Sequence, residues 1–341
     1  MAVKIGINGF GRIGRLTLRS IIESGRTDIV PVVINGPGSV EDKVHMLVYD
    51  SIHGRFSGKV QLAGNYLTIE AQGRTYGPIR ISSERDPAAL NLDGVDVAME
   101  CSGLFTSKQA VQPLLQAGAR KVLISAPASD VDATIVYGVN HKALKPGMTV
   151  VSNGSCTTNC LALLVKIVDE AFGIECGYML TVHSYTGDQQ IVDRRHRDLR
   201  RARAAGLNMV PTSTGAAKAI DLVLPHLKGR LSGSSLRVPT PNVSMVALDF
   251  MPSRAPSSVD EVNAAFHDAA TGALAGILDY SDAMLVSSDF NHSLASSNFD
   301  ATQTSLIRNG EMVHVCSWYD NEWGFSNRMI DTAVFMALQS D

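Results

Sequence analysis

The sequence predicts two domains: an α/β domain built on a doubly wound parallel sheet, and an α+β domain built on a mainly antiparallel sheet. Three observations carry this expectation. The 341 residues are long for one core. Strand–helix alternation runs from Val3 to Val151, as a parallel sheet with crossover helices requires. Past a helix that begins at Cys156, the pattern changes to long alternating strands, which suit antiparallel pairing with helices on one face.

The first strand, Val3 to Asn8, leads into Gly9-Phe10-Gly11-Arg12-Ile13-Gly14, and Arg15 to Ser24 continues as a helix. Ile29 to Ile34 closes a βαβ unit. A G-x-G-x-x-G turn in that setting points to dinucleotide binding, because its glycines allow a tight turn, close approach of backbone to a pyrophosphate, and tight helix packing. The second strand ends Ile34-Asn35-Gly36-Pro37-Gly38-Ser39, with no Asp or Glu until Glu41 and Asp42. A carboxylate at this corner grips ribose hydroxyls. Its absence removes repulsion against a 2′-phosphate, and Gly38 and Ser39 bring N–H and hydroxyl donors. A hairpin over Val60 to Ile81 follows, then a buried strand Val95 to Glu100, a helix Lys108 to Gln116 and a strand Lys121 to Ser125.

In the second half, strands are expected at Tyr178 to Tyr185, Leu236 to Met251, Leu285 to Asp289, Ala301 to Ile307 and Glu311 to Tyr319. Ser258 and Glu261 have capping-box spacing and open a helix to Thr271. An apolar-periodic helix starts at Trp323. The expected domains are therefore 1–154, completed by the C-terminal helix over 323–341, and 155–322.

Composition excludes several classes. A net charge of −3 gives no general attraction to nucleic acid or anionic membranes. The apolar run after Cys160 is broken at Lys166, so no membrane span is expected. The N-terminus reads as a strand and not a signal peptide. Five cysteines, an odd number in a long chain, fit reduced thiols in the cytoplasm. Cys156 and Cys160 have no His pair at metal-site spacing, so no metal is expected.

The most informative stretch is Ser152-Asn-Gly-Ser-Cys-Thr-Thr-Asn-Cys160, a small-residue turn between an apolar strand and the helix Leu161 to Val168. Free backbone N–H groups and the positive end of the helix dipole lower a thiol's pKa there, and the thiolate is the reactive form. His183, on the strand face opposite Val182, reads either as a hydrogen-bonded core histidine or as the base that an activated thiol needs.

With those residues placed, the sequence resembles the phosphorylating glyceraldehyde-3-phosphate dehydrogenases from the N-terminus to the last helix. The resemblance is carried by Ile7-Asn-Gly-Phe-Gly-Arg-Ile-Gly-Arg15, Ser155-Cys-Thr-Thr-Asn-Cys160, Thr212-Ser-Thr-Gly-Ala-Ala-Lys-Ala219, Arg237-Val-Pro239 and Trp318-Tyr-Asp-Asn-Glu-Trp-Gly324. It implies a Rossmann domain, a catalytic domain whose sheet forms the main interface of a homotetramer, and catalysis by Cys156 and His183. Cofactor contacts are implied for Gly9, Phe10, Gly11, Arg12, Ile13, Asn35, Gly36, Arg80, Ser125 and Asn321. Phosphate and substrate contacts are implied for Ser155, Thr157, Thr186, Arg201, Thr214, Gly215 and Arg237.

Two departures concern the cofactor. Gly36 stands where many NAD-dependent members have Asp, and Arg194-Arg195 stand where they have Leu-Pro. In the family's tetramer that loop reaches a neighbour's adenosine ribose, so Gly38, Ser39, Arg194 and Arg195 become 2′-phosphate contacts and the expectation is NADP, or NAD and NADP both. The other reading pairs these arginines with Asp193, Asp198 or interface carboxylates. Asp188-Gln189-Gln190 and Asp300 to Thr304 have a flavour of the erythrose-4-phosphate dehydrogenases, but Thr214 and Ser184-Tyr185-Thr186 follow the triose enzyme. A nucleotide-binding regulator without turnover is the reading from another class; it has no need of a reactive thiol.

Overall fold

The computed structural model describes residues 2–339, which fall into two compact units, one of residues 2–155 with 325–339 and one of Cys156–Gly324. In the first unit, β1 (Val3–Asn8), α1 (Arg12–Glu23) and β2 (Ile29–Asn35) form the βαβ start. They are followed by α2 (Val40–Val48), β3 (Lys59–Ala63), β4 (Tyr66–Ala71), β5 (Arg74–Ser82), β6 (Val97–Glu100), α3 (Lys108–Gln116), β7 (Lys121–Ile124), β8 (Ala133–Thr134) and β9 (Val150–Ser152). The sheet order is β3-β4-β5-β2-β1-β6-β7-β9-β8. It is parallel from β5 to β8, with β3 and β4 adding an antiparallel edge. Strand order reverses around β1, with β2 on one side and β6 on the other, the position where doubly wound sheets open a crevice at their carboxyl ends.

β1 and β6 read as apolar runs because both their faces are covered; Ile5, Ile7, Val97 and Met99 are all inaccessible. The C-terminal helix (Trp323–Leu338) belongs to this unit from Phe325 onward. Ser20 Oγ donates to Asn327 Oδ1 at 2.6 Å, Thr332 Oγ1 donates to Asn153 Oδ1 at 2.8 Å, and Lys121 Nζ donates to the Met336 carbonyl at 2.8 Å. The helix runs over Trp323–Leu338, the span its apolar periodicity predicts; residues 340 and 341 of the expected 323–341 domain segment lie outside those described.

The second unit contains α4 (Cys156–Phe172), β10 (Ile174–Ser184), β11 (Val210–Thr212), α5 (Ala216–Val223), β12 (Leu231–Val238), β13 (Ser244–Pro252), α6 (Val259–Thr271), β14 (Leu278–Ser281), β15 (Ser297–Ile307) and β16 (Met312–Tyr319). Its sheet order is β11-β12-β10-β13-β16-β15-β14. Most pairs are antiparallel, but β10/β12 and β14/β15 run parallel. The helices cover the face bearing Met179, Val246, Leu248, Phe250, Val313 and Val315, which is dry.

Several sequence expectations change here. Leu236 to Met251 is two strands, because Pro239 and Pro241 cannot hold a ladder and Val243 takes a left-handed φ of 66°. Leu285 to Asp289 is no strand; Ser287–Phe290 makes a 3₁₀ turn. The capping box at α6 is shared out: Ser258 Oγ accepts from the Glu261 N–H, while the Glu261 carboxylate accepts from Ser257 N and Oγ.

One buried cation organises the first unit's outer layer. Arg19 on α1 is 1% exposed and donates to the carbonyls of Leu47, Val48 and Gly54 at 2.9 to 3.2 Å. It thereby ties the end of α2 to the 49–56 loop, which contains no regular element of its own. Arg19→Met should lower unfolding stability by about 2–4 kcal/mol, because it removes the guanidinium donors to Leu47, Val48 and Gly54, and of these carbonyls Val48 retains the Phe56 N–H at 2.9 Å. A urea titration that shows no change in midpoint would contradict this.

Candidate active site

Two constellations can be built from the residues upward, one in each unit. In the first unit the glycine turn is tight. Gly9 has φ 95°, and a Cβ there would lie 2.2 Å from Ser102 N. A Cβ on Gly14 would lie 2.1 Å from the Gly9 carbonyl oxygen, so α1 sits directly on the turn. At Gly11, by contrast, a Cβ would meet nothing, and α1 starts after it with no side-chain cap. An uncapped helix start beside a close-packed glycine turn is the fit a dinucleotide pyrophosphate requires. Arg12, on the first turn, is clamped by Asp50, whose carboxyl its guanidinium holds well below the usual range against the upward push of burial. Phe10 is buried and Ile13 is half-buried.

At the end of β2 the structure refines the sequence argument. A Cβ on Gly36 would come within 2.9 Å of Phe10 N, so an aspartate would be crowded here as well as absent. The Ser39 N–H is spent on Asp42 Oδ2 at 3.3 Å, and Ser39 Oγ accepts from Asp42 N, which leaves the hydroxyl proton to donate. Sequence reasoning missed Lys43. It is 4% exposed and donates to the carbonyls of Gly38 and Ser39 and to Ser83 Oγ, which places a cation under this corner. Burial pushes its pKa down. The Asn35 side chain is saturated by protein partners, so a ligand contact at this residue falls to its backbone. Arg80 is tied to the Asn91 carbonyl, and Ser125 follows β7 at the carboxyl edge.

In the second unit Cys156 is the first residue of α4 and His183 the penultimate residue of β10. The fold brings Cys156 Sγ within 3.6 Å of His183 Nε2. His183 Nδ1 lies 2.7 Å from the Ser184 carbonyl, which accepts only from an N–H. Arg237 Nη1, which can only donate, also lies 3.1 Å from Nδ1, but the shorter contact to the Ser184 carbonyl assigns the proton to Nδ1 and leaves Nε2 as acceptor toward the thiol. Burial, reinforced by Arg237, lowers the His183 pKa to about 3, so the ring is neutral at physiological pH.

The thiol departs from the sequence expectation. Burial pushes the Cys156 pKa up, while Arg237 and the Thr157 N–H pull it back. Proton removal thus falls to the neutral imidazole. Arg237 is opposite His183 in the β10/β12 ladder, and its Nη1 donates to the Ser184 carbonyl at 2.9 Å and to Thr186 Oγ1 at 3.4 Å. Arg237 Nε is buried with no hydrogen-bond partner among the described residues.

Other expected contacts are placed as follows. Ser155 directly precedes α4. Thr214 Oγ1 accepts from Ala216 N at 3.2 Å and so helps start α5, with Gly215 as its cap. Arg201 is held by Asp188 at 2.6 Å and by Thr212 at 3.0 Å, which turns its guanidinium toward the loop. Arg203 pairs with Asp193 at 2.7 Å. Arg194 and Arg195 are exposed, and among the described residues no carboxylate lies within ion-pair distance of either. Asn321 Oδ1 accepts from Ser184 Oγ at 2.9 Å and Ser244 Oγ at 3.0 Å, so its amide presents the NH₂ group.

Sequence reasoning missed Tyr319, although its segment was singled out. Its hydroxyl is bonded to Thr157 Oγ1 at 2.8 Å and Thr181 Oγ1 at 2.9 Å, and its ring meets His183 edge-on. It thus fastens the first turn of α4 to the strand that carries the base. Cys160 is fully buried, beside Ser297, with its pKa pushed to about 12 by burial.

A thiol with a raised pKa beside a neutral imidazole gives a direct prediction. His183→Asn should slow alkylation of Cys156 by iodoacetamide at pH 7 by roughly tenfold or more, and push the remaining reaction to higher pH, where the thiol ionises unaided. An unchanged rate–pH profile would mean that the imidazole does not serve the thiol.

Two family models match the chain: glyceraldehyde 3-phosphate dehydrogenase, NAD binding domain, over residues 3–108, and glyceraldehyde 3-phosphate dehydrogenase, C-terminal domain, over residues 155–321. Among similar proteins, the glyceraldehyde-3-phosphate dehydrogenase of Cereibacter sphaeroides is 56% identical over 98% of this chain and 99% of its own length. That of Xanthobacter flavus is 55% identical over the same shares. Glyceraldehyde-3-phosphate dehydrogenase 1 of Bacillus subtilis is 50% identical over 99% of both chains. With the glycine turn, the thiol–imidazole pair and matches of this extent, the chain belongs to the glyceraldehyde-3-phosphate dehydrogenase family.

Proposed function

We propose that the protein oxidises glyceraldehyde 3-phosphate, with inorganic phosphate and NAD(P)⁺, to 1,3-bisphosphoglycerate. The observation that carries the reading is the Cys156–His183–Arg237 array, a nucleophile, a neutral base and a cation held on adjacent elements. Cys156 Sγ attacks the aldehyde carbon as His183 Nε2 takes the thiol proton and passes it to the carbonyl oxygen, giving a thiohemiacetal. Bound NAD⁺ supplies the hydride acceptor. His183 takes the hydroxyl proton as the hydride leaves, and the product is a thioester on Cys156. Phosphate attacks that carbon, the C–S bond breaks, and the leaving thiolate regains the proton from His183. The Cys156 N–H and the His183 side chain stabilise the oxyanion.

Ser155, Thr157, Thr214 and Gly215 hold the attacking phosphate, while Thr186 and Arg237, with Arg201, hold that of the substrate. Asn321 donates its NH₂ to the nicotinamide carboxamide, an orientation supported by the two serine hydroxyls on its oxygen. Gly9, Phe10, Gly11, Arg12, Ile13, Asn35, Gly36, Arg80 and Ser125 line the dinucleotide in the first unit, the cofactor domain. The second unit is the catalytic and tetramerisation domain.

The reading extends to a homotetramer and to NADP use. The 191–209 loop exposes Ile191, Val192, Leu199, Leu207 and Met209, each more than two-thirds accessible, which suits burial between copies of the chain. On the same loop Arg194 and Arg195 have no acidic partner among the described residues to neutralise them. With Lys43 beneath the β2 corner and the Ser39 hydroxyl above it, they support a 2′-phosphate. Five free thiols suit a cytoplasmic setting. No helix among the described residues is long and apolar enough to cross a membrane.

Initial rates with glyceraldehyde 3-phosphate and phosphate, run with NAD⁺ and NADP⁺ in parallel, test the function; faster turnover of erythrose 4-phosphate would overturn the substrate assignment. Arg194→Leu/Arg195→Pro should raise KM for NADP⁺ by roughly tenfold or more and leave that for NAD⁺ unchanged. An unaltered ratio of the two would exclude these arginines from cofactor choice. Light scattering should return a mass four times that of the chain.

A further inference from the structure

At the carboxyl edge of the first sheet, a set of buried polar side chains is hydrogen-bonded in a single direction. Glu84 N and Ser82 Oγ donate to Asn35 Oδ1 at 2.9 and 2.8 Å. Asn35 Nδ2 donates to the Glu84 carbonyl at 2.9 Å and to Asn8 Oδ1 at 2.8 Å. Asn8 Nδ2 donates in turn to Glu100 Oε2 at 2.5 Å. The other carboxylate oxygen, Glu100 Oε1, accepts from Ser102 N at 2.7 Å and from Ser102 Oγ. The side-chain amides therefore relay toward one carboxylate. Asn8, Asn35 and Glu100 are 7%, 3% and 1% exposed, so water cannot replace these partners.

The set lies where a ligand would need it. Asn8 ends β1, Asn35 ends β2 and Glu100 ends β6, the three strands that meet where strand order reverses. The Gly9 N–H donates to the Asn35 carbonyl at 2.9 Å, and the turn at Gly9 lies against the backbone of Ser102. Glu100 thus fixes the glycine turn from two sides, through Asn8 and through Ser102. By way of Asn35 it also fixes the Ser82–Glu84 corner. Among the described residues no cation forms an ion pair with it, and burial pushes its carboxyl pKa up against the pull of Ser102 and Asn8.

We infer that Glu100 is a positioning residue for the cofactor: its carboxylate is the acceptor that orients the Asn8 and Asn35 amides and so sets the cradle for the pyrophosphate and the adenosine ribose. The inference rests on the dinucleotide-binding reading above. A carboxylate is required because it accepts at both oxygens, whereas an amide accepts at one and donates at the other. Glu100→Gln necessarily sets a donor against a donor within the set: at Ser102, at Asn8, or, if the Asn8 and Asn35 amides flip, at Asn35 or Glu84 N. Asn8→Asp alone sets two carboxylates against each other. Together the two substitutions restore every bond. The introduced glutamine can donate to the introduced aspartate, which still accepts from Asn35, and the one negative charge has only moved.

The test is calorimetric titration of NAD⁺ into four full-length proteins: parent, Glu100→Gln, Asn8→Asp and the double variant. Cys156 alkylation and thermal unfolding are followed on each. Each single variant should bind NAD⁺ roughly tenfold to a hundredfold more weakly. The double variant should recover to within about threefold of the parent, a coupling that a general loss of stability does not produce. Alkylation rates should not move. Parent-like affinity in Glu100→Gln overturns the inference, and so does a double variant that fails to fold or binds no better than Glu100→Gln. A parent chain that does not bind NAD⁺ would instead overturn the dinucleotide reading itself.

Discussion

Cys156 Sγ stands 3.6 Å from His183 Nε2 because two constraints meet at that point. The helix that begins with the thiol is buried almost all round, so neither its rotation nor its register can change without opening a cavity. The strand that carries the imidazole is interior to its sheet, laddered to β12 on one side and β13 on the other. Tyr319 ties the two together, bonded to Thr157 on the helix and to Thr181 on the strand. The rest of the site is organised around that junction. The Ser184 carbonyl holds the imidazole by Nδ1 and also takes a bond from Arg237, while the Ser184 hydroxyl orients Asn321.

Burial has a chemical consequence at this junction. A low-dielectric pocket disfavours both the thiolate and the imidazolium, so the thiol is raised and the histidine lowered. Both shifts oppose a resting ion pair, so proton removal has to be coupled to attack, with the nearby guanidinium stabilising negative charge as it develops. The same physics raises Cys160, one helical turn on. It is buried in the same helix, where its hydrogen-bond partners are serine hydroxyls and its other neighbours include the Cys156 and Cys316 thiols.

The first unit handles charge differently. Three of its charged groups are fixed by complementary hydrogen bonds around the glycine turn and the end of β2: Asp50 on Arg12, Lys43 on Gly38 and Ser39, and Glu100 on Ser102. Backbone, rather than flexible side chains, then forms the surface offered to a nucleotide. A Cβ at Gly9 or Gly14 would collide with main chain, which makes those positions intolerant of any larger residue.

By itself the sequence determined the two-domain α/β and α+β organisation, the βαβ start, the glycine turn and the thiol that is the candidate nucleophile. Those are local properties: periodicity, turn chemistry and a thiol set between strand and helix all act over a few residues. It misplaced Leu285 to Asp289 and ran two strands together across Pro239 and Pro241, because alternation alone does not show where a ladder finds a partner. Only the tertiary structure decided which proton His183 carries, that Arg237 lies beside it, that Asn35 is saturated, and that Glu100, Lys43 and Tyr319 belong to functional neighbourhoods. Each of these depends on groups brought together from distant segments. In sequence Glu100 is simply the charged end of an apolar strand, and Lys43 an ordinary helical lysine. Burial and partners gave them their roles, and those are set by the packing of whole elements.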